Sequence, residues 1–286
     1  MVLLKHALNS AIDRFIAAHV GSPRLNAELL LMFTLGCDRA YLYAHPEHPL
    51  TSEEQSRYAE AIAQRARGVP AQYITGHQEF WGMDFIVSPA VLIPRPETEH
   101  VIETVLRLSN GGRALSPGAG LRIADVGTGS GCIALALARE LLNAEIDATD
   151  ISAPALEIAR ANAARHQLER RVHFYETDLL AGLDPQAYDF VVSNPPYVGA
   201  SEEDQVQLEV RKFEPRNAVF AGPTGLEMIA RLVPQARVAL KSGGWLVMEI
   251  SGSVAGGVEQ LLASWADMHI TNDLQGIPRV AFVRNS

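Results

Sequence analysis

Residues 125–131 are Asp125-Val126-Gly127-Thr128-Gly129-Ser130-Gly131, a stretch that joins a predicted strand at 122–127 to a predicted helix at 131–142. Because glycine lacks a Cβ, the backbone can turn sharply here and a ligand can approach it closely. The first N–H groups of a helix have no intrahelical partner, so a carboxylate or a phosphate binds well there. The stretch predicts a nucleoside site; the simpler interpretation is a tight turn without a ligand.

The spacing of these glycines separates two classes of ligand. A dinucleotide site places its third glycine three residues after the second, a position that Cys132 occupies here. The third glycine instead comes two residues after the second, as in enzymes that bind S-adenosylmethionine. The spacing therefore favours S-adenosylmethionine over a nicotinamide or flavin cofactor.

Two acidic residues end the next predicted strands. Asp150 ends the strand at 145–150, where a carboxylate can accept hydrogen bonds from both ribose hydroxyls. The alternative is that Asp150, like Ser152, only provides polarity at a helix start. Asp178 follows the third strand and can accept from an adenine amino group, with Leu179 packing on the ring. The alternative for Asp178 is a solvated loop residue.

A second motif, Asn194-Pro195-Pro196-Tyr197, follows a predicted strand at 188–193. An amide NH2 is a poor nucleophile because its lone pair is delocalised, and two fixed acceptors would direct that lone pair at a methyl group. The Asn194 side chain and the Pro195 backbone can supply these carbonyls, and consecutive prolines stiffen the segment. Tyr197 can lie against the planar face of the acceptor. The alternative is a strand-ending turn.

Together the two motifs predict transfer of a methyl group from S-adenosylmethionine to an amide or exocyclic amino nitrogen, with S-adenosylhomocysteine as product. A sulfonium is an excellent leaving group, so neither a metal nor an acid is required, and positioning and electrostatics provide the acceleration. We predict Asn194 and Pro195 as catalytic and Asn194, Pro195, Pro196 and Tyr197 as substrate-binding. The predicted cofactor residues are Gly127, Thr128, Gly129, Ser130, Gly131, Asp150, Asp178, Leu179 and Asn194.

Composition limits the class of partner. The chain has 286 residues and a net charge of 24 − 33 = −9, whereas residues 1–78 contain seven basic and seven acidic side chains, so the excess lies downstream. An acidic larger domain argues against broad binding of nucleic acid. Cys37 and Cys132, the only cysteines, lie in apolar contexts, which favours a reducing compartment. No apolar run is long enough to span a membrane, so we expect a cytoplasmic protein.

The chain divides by pattern into three parts. Residues 1–75 have helical apolar spacing, with a capping-box pattern at Thr51-Ser52-Glu53-Glu54, and predict a small all-helical domain. Residues 76–96 predict a hairpin and a proline-rich linker. Residues 97–286 predict the catalytic domain, and residues 109–120 within it predict a surface loop.

The catalytic part alternates strands with helices, which predicts a mostly parallel sheet covered by helices with ligands at the carboxyl ends of the strands. The fold class is therefore α/β, a Rossmann-like class I S-adenosylmethionine-dependent methyltransferase with a helical N-terminal domain. The segments near His269-Ile270 and Arg279–Val283 predict antiparallel strands at one edge. The predicted elements are helix 97–108, strand 122–127, helix 131–142, strand 145–150, helix 153–166, strands 172–177 and 188–193, helix 225–240, strand 245–250 and helix 254–266.

The sequence resembles the bacterial N5-glutamine methyltransferases that modify peptide-chain release factors, the PrmC or HemK family. The resemblance covers nearly the whole chain and includes Glu79-Phe80-Trp81-Gly82, residues 92–99, the glycine turn, residues 194–197 and Phe213-Glu214-Pro215. It implies that the substrate is the glutamine of a Gly-Gly-Gln loop in class I release factors, which residues 194–197 would hold. It also implies that Gly127–Gly131, Asp150 and Leu179 line the cofactor site.

Two expectations about partners follow. The net negative charge fits a basic protein partner, and the helical domain would be the module that recognises it. Residues 199–212 would form a mobile acidic segment near the entrance of the site. The alternative for that segment is an ordinary surface loop. The prediction is a monomer.

Other functions use the same motifs. Adenine-N6 methyltransferases of DNA and guanine-N2 methyltransferases of RNA present a similar NH2 group, but they must extract a base and hold its flanking phosphates. The absence of a basic stripe counts against both. A non-catalytic S-adenosylmethionine-binding protein would have no use for paired acceptors beside the methyl group. These three remain as alternatives to glutamine methylation.

Overall fold

A computed structural model describes residues 2–111 and 120–286. The predicted loop at 109–120 lies, over residues 112–119, outside the described residues. The chain divides into two compact units, Met1–His77 with Gln207–Phe213 and Gln78–Val206 with Glu214–Ser286. This division differs from the predicted one at two places. Residues 207–213 group with the helical unit, and residues 78–96 group with the larger unit.

The first unit is built mainly of helices around a core that includes Phe15, Leu30 and Tyr58. The predicted capping box is confirmed, because the Thr51 hydroxyl accepts from the Glu54 N–H at 3.2 Å and the Glu54 carboxylate accepts from the Thr51 N–H at 2.7 Å. The helices are α1 (Leu4–Ala17), α2 (Pro23–Leu35), α3 (Arg39–Ala44), α4 (Ser52–Ala66) and α5 (Ala71–Thr75).

Two features of this unit were not predicted. Strands β1 (Val2–Leu3) and β2 (Pro49–Leu50) pair antiparallel, so the unit is not purely helical. Helices α3 and α5 have six and five residues, too few for a helical period to be visible in the sequence.

A hairpin opens the second unit. Strands β3 (His77–Phe80) and β4 (Met83–Ile86) pair with each other, as predicted. The two turn residues, Trp81 and Gly82, have φ values of 54° and 63°, and such a turn matches the twist of the paired strands. Phe80, Met83 and Phe85 belong to the apolar core of this unit. The segment predicted as a hairpin and linker therefore contributes to that core.

The second unit contains a seven-stranded sheet of order β12-β13-β11-β8-β5-β6-β7. The five strands from β11 to β7 are parallel, and β13 and β12 pair antiparallel at one edge, as predicted. The strands are β5 (Leu121–Val126), β6 (Ala144–Asp150), β7 (Val172–Glu176), β8 (Tyr188–Ser193), β11 (Leu240–Glu249), β12 (Ala266–Asn272) and β13 (Pro278–Arg284).

Helices cover both faces of this sheet. Along β5, Ile123 belongs to one apolar cluster and Ala124 to the other, as expected when successive side chains point to opposite faces. The first cluster includes residues of α6 and α7, and the second includes residues of α11 and α12. The helices are α6 (Glu99–Gly111), α7 (Cys132–Glu140), α8 (Ala153–His166), α11 (Glu227–Ala239) and α12 (Ala255–Leu262).

The segment between β8 and α11 is more structured than predicted. Strands β9 (Val198–Gly199) and β10 (Phe220–Gly222) pair parallel, and α9 (Leu208–Phe213) and α10 (Arg216–Val219) lie between them. A 3₁₀ helix spans Ala200–Gln205. The residues predicted as a mobile segment or loop, 199–212, are therefore mostly helical. In the first unit, Arg65 forms an ion pair with Glu209 of α9 at 2.8 Å.

The sheet order creates a site at the ends of β5, β6 and β8. The chain passes from β5 to its neighbour β6 on one side, and later places β8 on the other side of β5. Ligands of open α/β sheets bind where the strand order reverses in this way. The register aligns Val126 with Thr149 of β6 and with Ser193 of β8. The predicted cofactor and acceptor motifs follow these three strands directly.

Candidate active site

The glycine turn after β5 adopts a backbone that favours glycine. Gly127, Gly129 and Gly131 have φ values of 71°, 54° and 82°. A Cβ added at Gly131 would lie 3.3 Å from both Ala159 and Leu135, so this glycine allows α7 and α8 to pack closely. A Cβ at Gly127 or Gly129 would meet no atom within 4 Å. These two glycines are required by the turn itself and leave space beside it.

A cleft opens beside this turn. Its empty volume is about 1110 Å³ when the open solvent at its mouth is included. All predicted site residues line it except Gly131 and Tyr197. Those that do are Gly127, Thr128, Gly129, Ser130, Asp150, Asp178, Leu179, Asn194, Pro195 and Pro196.

Asp150 fixes the turn from the end of β6. Its carboxylate accepts from the Gly129 N–H and the Ser152 N–H, each at 2.9 Å. Burial raises the pKa of Asp150, and these backbone hydrogen bonds oppose that shift. Each carboxylate oxygen carries two lone pairs, so both can still accept a hydroxyl from a ligand.

Asp178 and Leu179 lie at the far side of the cleft. The Asp178 carboxylate forms an ion pair with Arg231 of α11, and both side chains are about half exposed. Leu179 has a φ value of 57°, which is rare for a residue other than glycine. Asp178 already has a partner, and an adenine amino group would share it with Arg231.

Asn194 lies at the end of β8, beside the glycine turn. The Ser193 hydroxyl donates to the Val126 carbonyl at 2.7 Å and joins the ends of β8 and β5. The Asn194 amide nitrogen donates to the Thr98 hydroxyl at 3.0 Å. Pro195 and Pro196 follow in the cleft wall. The two motifs that the sequence singled out thus meet at one cleft.

Tyr197 occupies a different place from the one predicted for stacking on an acceptor. Its hydroxyl donates to the Glu249 carboxylate at 3.0 Å, and its ring packs against the apolar cluster beneath α11 and α12. Burial and the nearby Glu249 charge raise the pKa of Tyr197. The structure therefore directs this side chain into the protein.

Sequence reasoning missed Thr98 and Glu249. Both are 2 % exposed, and the Thr98 hydroxyl donates to the Glu249 carboxylate at 2.6 Å. Burial raises the pKa of Glu249. The available signal was a glutamate at the end of the apolar run Trp245-Leu246-Val247-Met248, since a buried carboxylate needs partners.

Residues 92–99, in which Arg95 lies between two prolines, are bonded to Glu214 of the segment Phe213-Glu214-Pro215. Glu214, 5 % exposed, pairs with Arg95 and accepts from the Ile93 N–H at 3.1 Å. This pairing joins two of the segments that carry the resemblance, residues 92–99 and residues 213–215.

Asp125, the first residue of the stretch 125–131, was not predicted to have a role in the site. It is fully buried, and one carboxylate oxygen accepts from the Thr128 hydroxyl at 2.6 Å and from the Ala134 N–H at 3.2 Å. The other oxygen, Oδ1, has no hydrogen-bond partner among the described residues. Burial raises the pKa of Asp125 to about 7, and the two hydrogen bonds oppose this only in part.

This carboxyl group should make the protein less stable as pH rises. The pKa is about 7 in the folded chain and 3.8 ordinarily, so between these values the folded state binds more protons than the unfolded state. The free energy of unfolding therefore falls as pH increases through that window. Asp125→Asn should make this decline shallower in urea unfolding.

The raised pKa values of Asp150 and Glu249 act in the same direction, so part of the decline should persist in Asp125→Asn. Asp184→Asn, at an exposed position outside the cleft, is the matched control and should keep the wild-type slope. Equal slopes for Asp125→Asn and wild type would assign the decline to other groups.

Within residues 2–111 and 120–286, no group of three or more His, Cys, Asp or Glu side chains is arranged to hold a metal ion. No helix in that part of the chain is long and apolar enough to cross a membrane.

Comparison with known proteins identifies the family. A family described as the PrmC N-terminal domain matches residues 6–76, and one described as the methyltransferase small domain matches residues 113–212. A release factor glutamine methyltransferase of Koribacter versatilis is 55% identical over 98% of this chain and 98% of its own length. The chain belongs to the release factor glutamine methyltransferase family. A second member, from Chlorobaculum tepidum, is 42% identical over 95% of this chain and 94% of its own length.

Solved structures support the fold of this family member. The hMettl16 catalytic domain, in complex with a 3′UTR hairpin, aligns with a TM-score of 0.57 at 17% identity and covers 82% of each chain. The T. thermophilus 16S rRNA N2 methyltransferase RsmC, in complex with AdoMet and guanosine, aligns with a TM-score of 0.52 at 16% identity. That match covers 73% of this chain and 50% of RsmC. These similarities confirm the methyltransferase fold.

Proposed function

We propose that the chain transfers a methyl group from S-adenosylmethionine to the side-chain amide nitrogen, N5, of the glutamine in the Gly-Gly-Gln motif of class I peptide-chain release factors. The observation that carries this proposal is the placement of Asn194-Pro195 and the glycine turn in one cleft, at the ends of the adjacent strands β8 and β5. The names of relatives that match the whole chain support the release factor as substrate.

The residues of the cleft fit the proposed cofactor. The space beside Gly127 and Gly129 is open, and Asp150 offers carboxylate oxygens at the neighbouring strand end. We infer that Asp150 holds the ribose and that Asp178 and Leu179 contact the adenine. The turn at 127–131 would hold the polar groups of the methionine part. S-adenosylmethionine would supply a methyl group on a sulfonium: the amide nitrogen would gain the methyl group and release one N–H proton, and the sulfur would keep the electron pair of the broken bond in neutral S-adenosylhomocysteine.

Asn194 and Pro195 would act on the acceptor. The glutamine amide has two N–H bonds, and the Asn194 side-chain oxygen and the Pro195 carbonyl accept one each. Both hydrogens then lie in fixed directions, and the nitrogen lone pair points at the methyl group. Pro196 keeps the segment stiff. Since these contacts orient the nucleophile, they lower the barrier by positioning.

The roles of the parts and the location of the enzyme are further proposals. Residues 1–75 would recognise the body of the release factor, and residues 97–286 would perform the methyl transfer. Residues 76–96 would connect these two parts. We infer a cytoplasmic enzyme, which fits its two free cysteines, Cys37 and Cys132. We also infer a monomer.

Labelled S-adenosylmethionine with separate protein, DNA and RNA acceptors tests the substrate class. We expect label on a purified class I release factor and none on nucleic acid, and no label on a factor whose Gly-Gly-Gln glutamine is replaced by alanine. A short Gly-Gly-Gln peptide should be methylated less efficiently than the whole factor, because remote contacts contribute binding energy at the reacting centre. Label on DNA or RNA alone would support the alternative base methyltransferases.

A further inference from the structure

A buried chain of hydrogen bonds lies behind the acceptor motif. The Asn194 amide nitrogen donates to Thr98 at 3.0 Å, and the Thr98 hydroxyl donates to Glu249 at 2.6 Å. Tyr197 donates to the other oxygen of the same carboxylate at 3.0 Å. Thr98 and Glu249 are each 2 % exposed, so water has little access to these bonds. The hydrogen-bonded pairs are separated by 52 to 151 residues in the sequence and meet only in the fold.

This series of hydrogen bonds has a direction, which is set by the donors and acceptors that its members offer. Glu249 accepts from the Tyr197 hydroxyl at one carboxylate oxygen and from the Thr98 hydroxyl at the other, so the single hydroxyl hydrogen of Thr98 is committed to Glu249. The Thr98 oxygen can then offer Asn194 only a lone pair. The side of the Asn194 amide that faces Thr98 must therefore be the NH2 group. Its carbonyl oxygen, Oδ1, faces the other way.

We propose that Thr98 and Glu249 are positioning residues that set the orientation of the Asn194 amide, so that its carbonyl oxygen faces the acceptor. This inference rests on the proposed function, in which that oxygen accepts from the glutamine NH2. The two ends of an amide have nearly the same size, so packing alone does not choose between them. Hydrogen-bond partners decide, and here Thr98 is the partner.

The reversed amide would oppose the reaction. It would direct N–H donors at the N–H donors of the substrate glutamine, and one of the two acceptors that orient the nucleophile would be lost. Binding of the release factor through remote contacts would be little affected. The chain of bonds therefore acts on turnover, and its loss should appear in kcat more than in KM.

Thr98→Val tests this with a side chain of the same shape that has no hydroxyl. We expect kcat to fall roughly 10- to 100-fold, because misplacement of a reacting group costs about this much. The KM for release factor and the Kd for S-adenosylmethionine, measured by calorimetry, should change little. Thr98→Ser restores the hydroxyl and should recover most of kcat. Glu249→Gln, which can donate to Thr98 and reverse the bonds, should lower kcat as well.

The outcomes separate this inference from the proposed function. If Asn194→Ala keeps wild-type turnover, the proposed acceptor site fails and this inference fails with it. If Asn194→Ala is impaired while folded Thr98→Val keeps wild-type kcat, only the positioning role is overturned.

Nuclear magnetic resonance of the wild-type protein, labelled with ¹⁵N-asparagine, tests the orientation of the Asn194 amide directly. This test does not depend on the activity of a variant. The side-chain signal of Asn194 is identified by its loss in Asn194→Asp. At least one of its two amide hydrogens should exchange slowly with water, because it is bonded to Thr98 inside the protein. Fast exchange of both hydrogens would mean that the NH2 group faces the open cleft, and would overturn the proposal.

Discussion

Asn194→Ala is expected to lower kcat for release-factor methylation roughly 10²–10³-fold, the loss seen when one preorganised transition-state contact is removed. The reason is that the substitution removes one of the two acceptors that orient the glutamine NH2. The affinity for S-adenosylmethionine should stay near wild type, since Asp150 and the glycine turn are untouched. The measurement is steady-state methyl transfer together with calorimetric binding of the cofactor.

Asn143→Ala is the matched control. It makes the same chemical change at an exposed position outside the cleft and should leave kcat unchanged. Thermal unfolding of both variants shows whether the loss of the Thr98 bond affects folding. Wild-type turnover in folded Asn194→Ala would remove this residue from the acceptor site and leave Pro195 without its proposed partner.

Much of the larger unit was accessible from the sequence because its elements have clear periods. Strand 188–193 and helix 153–166 form with the predicted bounds. Both are long enough for buried positions to repeat, and both end at polar residues or a turn. The alternation of strands and helices predicted a mostly parallel sheet with ligands at the carboxyl ends of its strands, and the structure places the cofactor and acceptor motifs there.

The hydrogen bonds of the site could not be predicted in the same way. Thr98 and Glu249 are 151 residues apart, and no local sequence pattern around either residue predicts a contact with the other. Tyr197 was assigned to a substrate because tyrosine rings often stack, but its hydroxyl found a buried carboxylate instead. Such contacts depend on which strands become neighbours, and a single sequence carries no direct record of that.

Short elements were also hidden. The 3₁₀ helix at Ala200–Gln205 and α9 at Leu208–Phe213 have six residues each, less than two α-helical turns. They fall within residues 199–212, which were interpreted as one acidic segment because Ala200–Gln205 contains three acidic residues. Their order comes from tertiary contacts, such as the ion pair of Glu209 with Arg65, and not from intrinsic helix preference.

Asp150→Ala is expected to weaken S-adenosylmethionine binding by ~1–3 kcal/mol, the scale of a lost hydrogen bond to a charged group. This corresponds to roughly 5- to 150-fold in Kd. Two effects combine in this change. The ribose loses its acceptor, and the Gly129 N–H loses the carboxylate that holds the turn.

Asp150→Asn separates these two effects. Asparagine keeps the size of the side chain and one carbonyl oxygen, so one of the backbone bonds from Gly129 or Ser152 can persist. A variant that binds S-adenosylmethionine almost as well as wild type would show that the backbone contact matters more than the charge. Asp184→Ala, exposed and outside the cleft, should bind as wild type does. Unchanged cofactor affinity in folded Asp150→Ala would exclude this carboxylate from the ribose site, and the glycine turn would then have to hold the nucleoside without it.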